Sequence, residues 1–141
     1  MKVESISRDM MHDWIQAENL WVKDGGTIGT LLSGDRISCC DEILAAVEDE
    51  KIVTVATIAP QGEMREGQPT IVAIYTHPDF HRQGFGRVVT EAVVRRCIER
   101  GFHNIRVDVM SAHEMRIINS LPEDLRKELD VHDFGNVIDL F

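Results

Sequence analysis

Arginine, glutamine and glycine residues follow directly on an apolar, β-branched segment of this chain. The segment Ile71–Thr76 predicts a buried strand, and Pro78 ends it because proline has no N–H for a sheet ladder. The loop at positions 81–86 then reads His-Arg-Gln-Gly-Phe-Gly. Apolar residues recur at helical spacing after this loop: Val88, Val89, Ala92, Val93, Cys97 and Ile98. The sequence therefore predicts a strand, a glycine-bearing turn and a helix.

Such a turn is suited to binding a phosphate. The first N–H groups of a helix have no partner within it, and the helix dipole adds roughly half a positive charge there. Gly84 and Gly86 have no Cβ, so a phosphate can approach the backbone closely. Arg82 and Arg87 flank the turn and can add charge-assisted hydrogen bonds. Val89 stands where a dinucleotide fingerprint has its third glycine, and the Gly-Lys-Ser/Thr of a nucleoside-triphosphate loop is absent.

The stretch Pro78–Arg87 resembles the acyl-CoA-binding motif of the GNAT superfamily of N-acyltransferases, whose pattern is Gln/Arg-x-x-Gly-x-Gly/Ala after a strand-ending proline. His81 replaces the usual Gln or Arg, which weakens one side-chain contact and leaves the backbone cradle intact. The resemblance implies that the pyrophosphate of acetyl-CoA binds the loop and that the pantetheine arm pairs with the exposed edge of the strand before it. The residues implied to bind the cofactor are Ile74, Tyr75, Thr76, Arg82, Gln83, Gly84, Phe85, Gly86 and Arg87.

The reaction implied by the resemblance is transfer of an acetyl group from acetyl-CoA to a primary amine of a small molecule or a protein. A lysine-like amine with a pKa near 10.4 is neutral only about once in 2,500 at pH 7, so removing its proton costs roughly 4.6 kcal/mol. A carboxylate, a histidine or a water relay can accept that proton. The alternative is a CoA-binding module of the same fold that has no turnover and acts as a sensor or interaction partner.

Two residues are candidates for the proton transfer. Asp108 shares a predicted strand face with Arg106, at a position where some GNAT proteins carry a glutamate base. His113 follows the end of that strand. The sequence has one tyrosine, Tyr75, which comes too early in the chain to be the family's usual acid. The positions where that acid is expected hold other residues, namely Ile118 or Arg126, depending on the alignment register.

The order of the predicted elements also resembles the GNAT fold, over roughly Lys2 to Met110. It is an α/β (α+β) arrangement: a mixed, mostly antiparallel sheet flanked by helices, with a parallel strand pair splayed at the CoA site. Helical spacing of Met10, Met11, Trp14, Ile15, Trp21 and Val22 predicts a first helix that begins at Ser7, is stopped by Asp24-Gly25-Gly26 and buries these side chains. The remaining elements up to Met110 are strands Met1–Ser5, Ile43–Glu48, Ile52–Ala59 and His103–Met110, and a short helix Thr27–Leu32.

The last thirty residues fit the family pattern less well. Ser111–Asn119 and Pro122–Leu129 are predicted to be helical, and Val131–Phe134 with Val137–Phe141 a terminal hairpin. Acceptor pockets in the family come from the first helices and the final strands, here Trp14–Ser33 and Val131–Phe141. The short tail leaves open a homodimer in which a second subunit completes the sheet. All 141 residues are expected to form a single domain.

Composition excludes several classes of protein. The net charge of −9 argues against a nucleic-acid binder and is compatible with a cationic amine substrate, although acidic surfaces also serve solubility. No apolar run is long enough to span a membrane. The three cysteines (Cys39, Cys40, Cys97) favour a reducing compartment, so the cytoplasm is expected. No metal is predicted, because the other histidines show no ligand spacing: His12, His77, His103 and His132.

Overall fold

A mixed β-sheet organises the computed structural model, which describes residues 1–31, 40–60 and 67–134. In these ranges six strands lie side by side in chain order. The first four pair antiparallel, whereas the fifth is parallel to both the fourth and the sixth. The strands are β1 (Lys2–Ile6), β2 (Glu42–Glu48), β3 (Lys51–Ala59), β4 (Thr70–Thr76), β5 (Ile105–Val109) and β6 (Leu129–Asp133). The predicted α/β (α+β) class with a mostly antiparallel sheet is confirmed.

Helices cover both faces of the sheet. They are α1 (Arg8–Ala17), α2 (Leu20–Leu31), α3 (Phe85–Glu99), α4 (Ala112–Ser120) and the single turn α5 (Glu123–Arg126), with a 3-10 turn at Pro78–Phe80. Serine side chains begin two of them: Ser7 accepts a hydrogen bond from the Met10 N–H at 3.1 Å, and Ser111 accepts one from the Glu114 N–H at 3.1 Å. Both are N-caps, which satisfy a donor that the helix itself leaves free.

The two faces bury separate hydrophobic cores. On one face Val89, Val93 and Cys97 of α3 pack with Ile118 of α4 against alternate residues of the strands, including Ile105, Val107 and Val109 of β5. On the other face α1 and α2 bury Met11, Trp14, Ile15, Leu20 and Ile28 against β2, β3 and β4. Burial of Cys97 raises the pKa of its thiol to about 12, so it is a packing residue and not a nucleophile.

The parallel pair β4–β5 separates soon after it begins. Only Thr70 with Arg106 and Ile71 with Val107 are paired across these strands. Beyond them β4 continues to Thr76 and β5 to Val109 without pairing to each other. The predicted splay is confirmed, and it leaves a stretch of β4 edge unpaired on one side.

The prediction of one long first helix was wrong. The helix α1 ends at Ala17, and Asn19 adopts a left-handed conformation with φ 55° that ends a helix readily. The second helix, α2, is kinked at Asp24, whose backbone is not helical, and continues beyond it. It includes most of the predicted short helix Thr27–Leu32. Three of the side chains expected in the core are exposed: Met10 in α1, and Trp21 and Val22 after the break, which changes the face that meets the sheet.

The chain after α4 also differs from its prediction. The predicted helix Pro122–Leu129 is limited to the four residues of α5, and strand β6 begins at Leu129. Leu129 and Val131 pack against the core on the α3 side. The alternation of these apolar residues with polar ones is that of a strand and not of a helix. β6 pairs in parallel with β5, and the second half of the predicted hairpin, Val137–Phe141, lies outside the described residues.

Ion pairs join the end of α3 to the start of β2, and they predict a loss of stability in acid. Arg100 donates to Asp41 at 2.9 Å, and Arg96 donates to Glu42 at 3.0 Å. The Arg100 hydrogen bond holds the pKa of Asp41 below its ordinary 3.8. A lowered folded pKa gives stability that is present above 3.8 and lost as pH falls through the folded value.

We therefore expect Asp41→Asn to lower the unfolding free energy by up to about 1 kcal/mol at pH 7, a surface-pair value, and by less at pH 3. Urea denaturation between pH 3 and pH 7 measures the difference. Asp13→Asn is the matched control, since Asp13 is exposed and makes no ion pair within the described ranges. An equal effect of Asp41→Asn at both pH values contradicts this assignment.

Candidate active site

The glycine turn presents free backbone donors at the start of α3. Gly84 is the N-cap residue with φ 81° and ψ 2°, and no side chain caps the helix. The first helical hydrogen bond runs from the Val88 N–H to the Gly84 carbonyl at 3.2 Å. The N–H groups of Phe85, Gly86 and Arg87 therefore precede the helical ladder and are available to an anion.

The two glycines of the turn differ in how far the fold requires them. Gly84 has a positive φ that side chains rarely adopt, so the backbone itself favours glycine there. Gly86 is helical, and a Cβ at that position would lie 3.5 Å from Ile117 Cδ1 and 3.8 Å from Thr76 Oγ1, which are ordinary contacts. The fold accommodates a methyl group at residue 86. Packing within the described residues therefore does not by itself require glycine at that position.

The predicted phosphate-binding residues are all brought together at this turn. Arg82, which has φ 67°, is exposed, as are Gln83, Gly84 and Arg87, whereas Phe85 and Gly86 are half-buried. Two arginine residues thus flank the free amides of one helix N-terminus in the chain. This combination supplies both directed donors and positive charge for linked phosphates.

The edge of β4 supplies a second row of backbone groups. The His77 N–H donates to the Val53 carbonyl of β3 at 2.8 Å. Because antiparallel hydrogen bonds alternate along a strand, the Tyr75 amide also faces β3, whereas the Ile74 and Thr76 amides face the gap beside β5. The His81 ring nitrogen Nε2 lies 3.0 Å from the Thr76 carbonyl. The groups left for a ligand at this edge are the two N–H groups and the Ile74 carbonyl.

Tyr75 is committed to the core on the α1–α2 face. Its ring packs edge-on against Trp14 with 6.0 Å between centroids, and its hydroxyl donates to Asp24 Oδ2 at 3.2 Å. Burial, together with the Asp24 charge, raises the pKa of Tyr75 above its ordinary value of 10.0. The phenol is therefore an inefficient proton donor near neutral pH.

Asp108 lies on the sheet face opposite α3, just after the last residue of β5 that pairs with β4. Its Oδ1 is 2.9 Å from Nε of Arg106, whose side chain is 4% exposed. The two groups form an ion pair, and among the described residues Arg106 Nε and Nη1 and Asp108 Oδ1 are buried without a hydrogen-bond partner. Such groups in a folded protein are commonly satisfied by water or a ligand.

His113 does not join Asp108. It is exposed in the first turn of α4, and α4 packs through Ile118 into the core on the α3 side of the sheet. The two predicted catalytic residues are therefore on opposite faces. Of the two, Asp108 is the one beside the unpaired part of β4.

Two further polar residues, which no sequence motif indicated, lie on the same face as Asp108. Asp130 and His132 of β6 are directly paired with Arg106 and Asp108 of β5, so all four side chains are on one face. His132 Nε2 lies 3.1 Å from Asp130 Oδ2. The alternation of apolar Leu129 and Val131 with polar Asp130 and His132 is typical of a strand with one buried face. The predicted boundary between a helix and a hairpin falls within this alternation and hides it.

Among the described residues, no group of three or more histidine, cysteine, aspartate or glutamate side chains could hold a metal ion. None of the helices in the described ranges has both the length and the apolarity needed to cross a bilayer.

A cradle of helix N-terminal amides next to a splayed β4 edge defines an acyltransferase-type fold and site, and comparison with known proteins identifies the family. Residues 8–118 match the model of the acetyltransferase (GNAT) family. The chain belongs to this family, as the sequence resemblance implied. None of the curated proteins compared with the chain matches it in sequence.

Several solved structures share the fold. An aminoglycoside antibiotic 6'-N-acetyltransferase from Acinetobacter haemolyticus is 14% identical with a TM-score of 0.54, and the match covers 87% of this chain and 92% of that one. The ribosomal-protein-S18-alanine N-acetyltransferase from Escherichia coli is 16% identical with a TM-score of 0.57, covering 84% and 74%. A GNAT family N-acetyltransferase from Escherichia coli in complex with CoA is 12% identical with a TM-score of 0.61, covering 82% and 66%.

Proposed function

We propose that the protein is an acetyl-CoA-dependent N-acetyltransferase that acetylates a primary amine of a small molecule or a protein. The observation that carries this proposal is the row of free amides at Phe85, Gly86 and Arg87, next to the unpaired edge of β4. Membership of the GNAT family supports it. One solved relative is in complex with CoA, which supports CoA as the ligand of this cradle.

The residues have distinct proposed roles in substrate binding. The amides of Gln83 to Arg87, with Arg82 and Arg87, bind the pyrophosphate of acetyl-CoA. The Ile74 and Thr76 amides bind the pantetheine arm in the manner of an added β-strand. An N–H of this edge also stabilises the negative charge that develops on the thioester oxygen during attack.

The amine is placed on the β5–β6 part of the face opposite α3, because α3 and its core fill the other face and α1 and α2 pack against β2, β3 and β4. Asp108 lies on that part of the face, beside the gap, and we assign its carboxylate, which is also ion-paired with Arg106, to holding the amine. His113 stays a weaker candidate, since it is on the opposite side of the sheet. The net charge of −9 further favours an acceptor that arrives as a cation.

Calorimetric titration with acetyl-CoA and a thiol-release assay with an amine panel test the proposal. The panel contains an aminoglycoside, a peptide with an N-terminal alanine and a polyamine; the first two follow the acceptors of the solved relatives. We expect micromolar binding of acetyl-CoA and amine-dependent release of CoA. No binding at tens of micromolar ligand rejects the proposal. Binding without thiol release across the panel favours the non-catalytic CoA-binding module.

A further inference from the structure

A compact polar cluster lies on the β5–β6 surface, on the face opposite α3. It comprises Arg106 and Asp108 of β5 with Asp130 and His132 of β6. Within the described residues, four of its polar atoms are buried without a hydrogen-bond partner: Arg106 Nε and Nη1, Asp108 Oδ1 and His132 Nε2. Two ion pairs, Arg106–Asp108 at 2.9 Å and His132–Asp130 at 3.1 Å, offset part of the cost of burying these groups. Their remaining hydrogen-bonding capacity can serve a polar occupant.

Asp130 is fixed in a position to orient the imidazole of His132. Gln68 donates to Asp130 Oδ2 at 2.7 Å and to the Asn104 carbonyl at 2.8 Å, which ties the carboxylate to the loop before β4. The same Oδ2 is 3.1 Å from His132 Nε2. The Phe134 ring lies nearly parallel to the imidazole, with 15° between the planes and 6.5 Å between centroids. The imidazole therefore has a carboxylate at Nε2 and an aromatic ring as a neighbour.

The position of the imidazole suits the acceptor chemistry. His132 pairs with Asp108 across strands about 5 Å apart, and Asp108 directly follows the last β5 residue joined to β4. The His132 side chain is 22% exposed, so a proton that it takes up can pass to solvent. The charged groups that face it are Asp130 on its own strand and Asp108 and Arg106 on the neighbouring strand.

We propose that His132, oriented by Asp130, is the catalytic base that accepts the proton of the acceptor amine. The amine nitrogen forms a bond to the carbonyl carbon of acetyl-CoA, the carbon–sulfur bond breaks, and CoA leaves as a thiolate. An acceptor that arrives as an ammonium ion loses two protons. The first goes to the imidazole and then to water before the attack, and the second, lost as the amide forms, goes to the departing thiolate. This inference rests on the proposed acetyltransferase function and adds the residue that performs its proton transfer.

The pH dependence has a definite sign. The neutral imidazole is the active form, so kcat falls when acid protonates it. Asp130→Asn removes a negative charge 3.1 Å from His132 Nε2, so we expect the midpoint of the acid limb to move to lower pH. An acid limb that belongs to another group would not move with this substitution.

The experiment compares His132→Gln, Asp130→Asn and a control, His103→Gln, in the full chain. His103 Nδ1 is 2.8 Å from Glu128 Oε2, so it is a second histidine–carboxylate pair, but it is 71% exposed and precedes β5. With the best amine of the panel, we expect His132→Gln to lower kcat about 100-fold and to remove the acid limb, with acetyl-CoA affinity within twofold of the original. His103→Gln should match the unmodified protein.

An acid limb that persists in His132→Gln, or a kcat within threefold of the original, overturns the assignment. If the unmodified protein releases no thiol with any amine, the acetyltransferase proposal fails separately. NMR titration of the His132 ring signals in the CoA complex then tests whether Asp130 interacts with His132. A midpoint that shifts down in Asp130→Asn supports this interaction, and a midpoint that does not move overturns it.

Discussion

Reversing one charge at the start of α3, by Arg87→Glu, is expected to weaken CoA binding by at least about 100-fold while leaving the fold intact. Arg87 is exposed and is the third residue of the helix. The change removes a charge-assisted hydrogen bond to phosphate of about 1.5–3 kcal/mol and adds like-charge repulsion. A glutamate in the first turn is favourable to the helix dipole. Stability should therefore stay equal or rise while affinity falls.

Calorimetry with CoA and thermal unfolding monitored by circular dichroism measure the two effects. Lys127→Glu is the control, because it makes the same change of net charge at an exposed residue outside the glycine turn. It should bind CoA within about twofold of the original protein. If the two variants lose affinity equally, the general acidity of the surface accounts for the loss, and the turn is not the phosphate site.

The strand, turn and helix from Ile71 to Glu99 could be predicted from the sequence because each boundary there has a local cause. Proline ends pairing, a glycine takes the left-handed N-cap conformation, and valines repeat at helical spacing. The position of the phosphate-binding residues follows from these boundaries alone. The splay of β4 and β5 was accessible only through the family resemblance, since strand separation leaves no local pattern.

The polar cluster could not be predicted, because it depends on which strands become neighbours. Arg106 and Asp130 are 24 positions apart and meet only when β6 adds in parallel to β5. The local pattern around Leu129 suits a helix end as well as a strand start. The break at Asn19 is similar, since nothing adjacent to Glu18 forces it and packing of two helices on one sheet selects it.

Replacing both members of the Arg106–Asp108 pair separates its structural role from its chemical one. Asp108→Asn alone removes the carboxylate 2.9 Å from the buried Arg106 guanidinium and leaves Asp130, its cross-strand neighbour, as the remaining counter-charge. We expect a loss of about 1–2 kcal/mol of unfolding free energy, since Asp108 itself is partly exposed. Arg106→Met replaces the buried cation with an apolar side chain. Buried ion pairs can often be replaced by uncharged side chains without loss of stability. The double variant Arg106→Met/Asp108→Asn should therefore recover most of the lost unfolding free energy, as measured by urea denaturation.

Activity then reports on Asp108 independently of the fold. If Asp108 holds the acceptor amine, the double variant stays at least tenfold below Arg106→Met in kcat/KM, although both bind acetyl-CoA equally. Arg106→Met is the matched comparison, because it keeps the carboxylate and lacks the same guanidinium. Equal activity of the two variants would show that Asp108 serves only to neutralise Arg106. Other groups on the face of the sheet opposite α3 must then hold the amine.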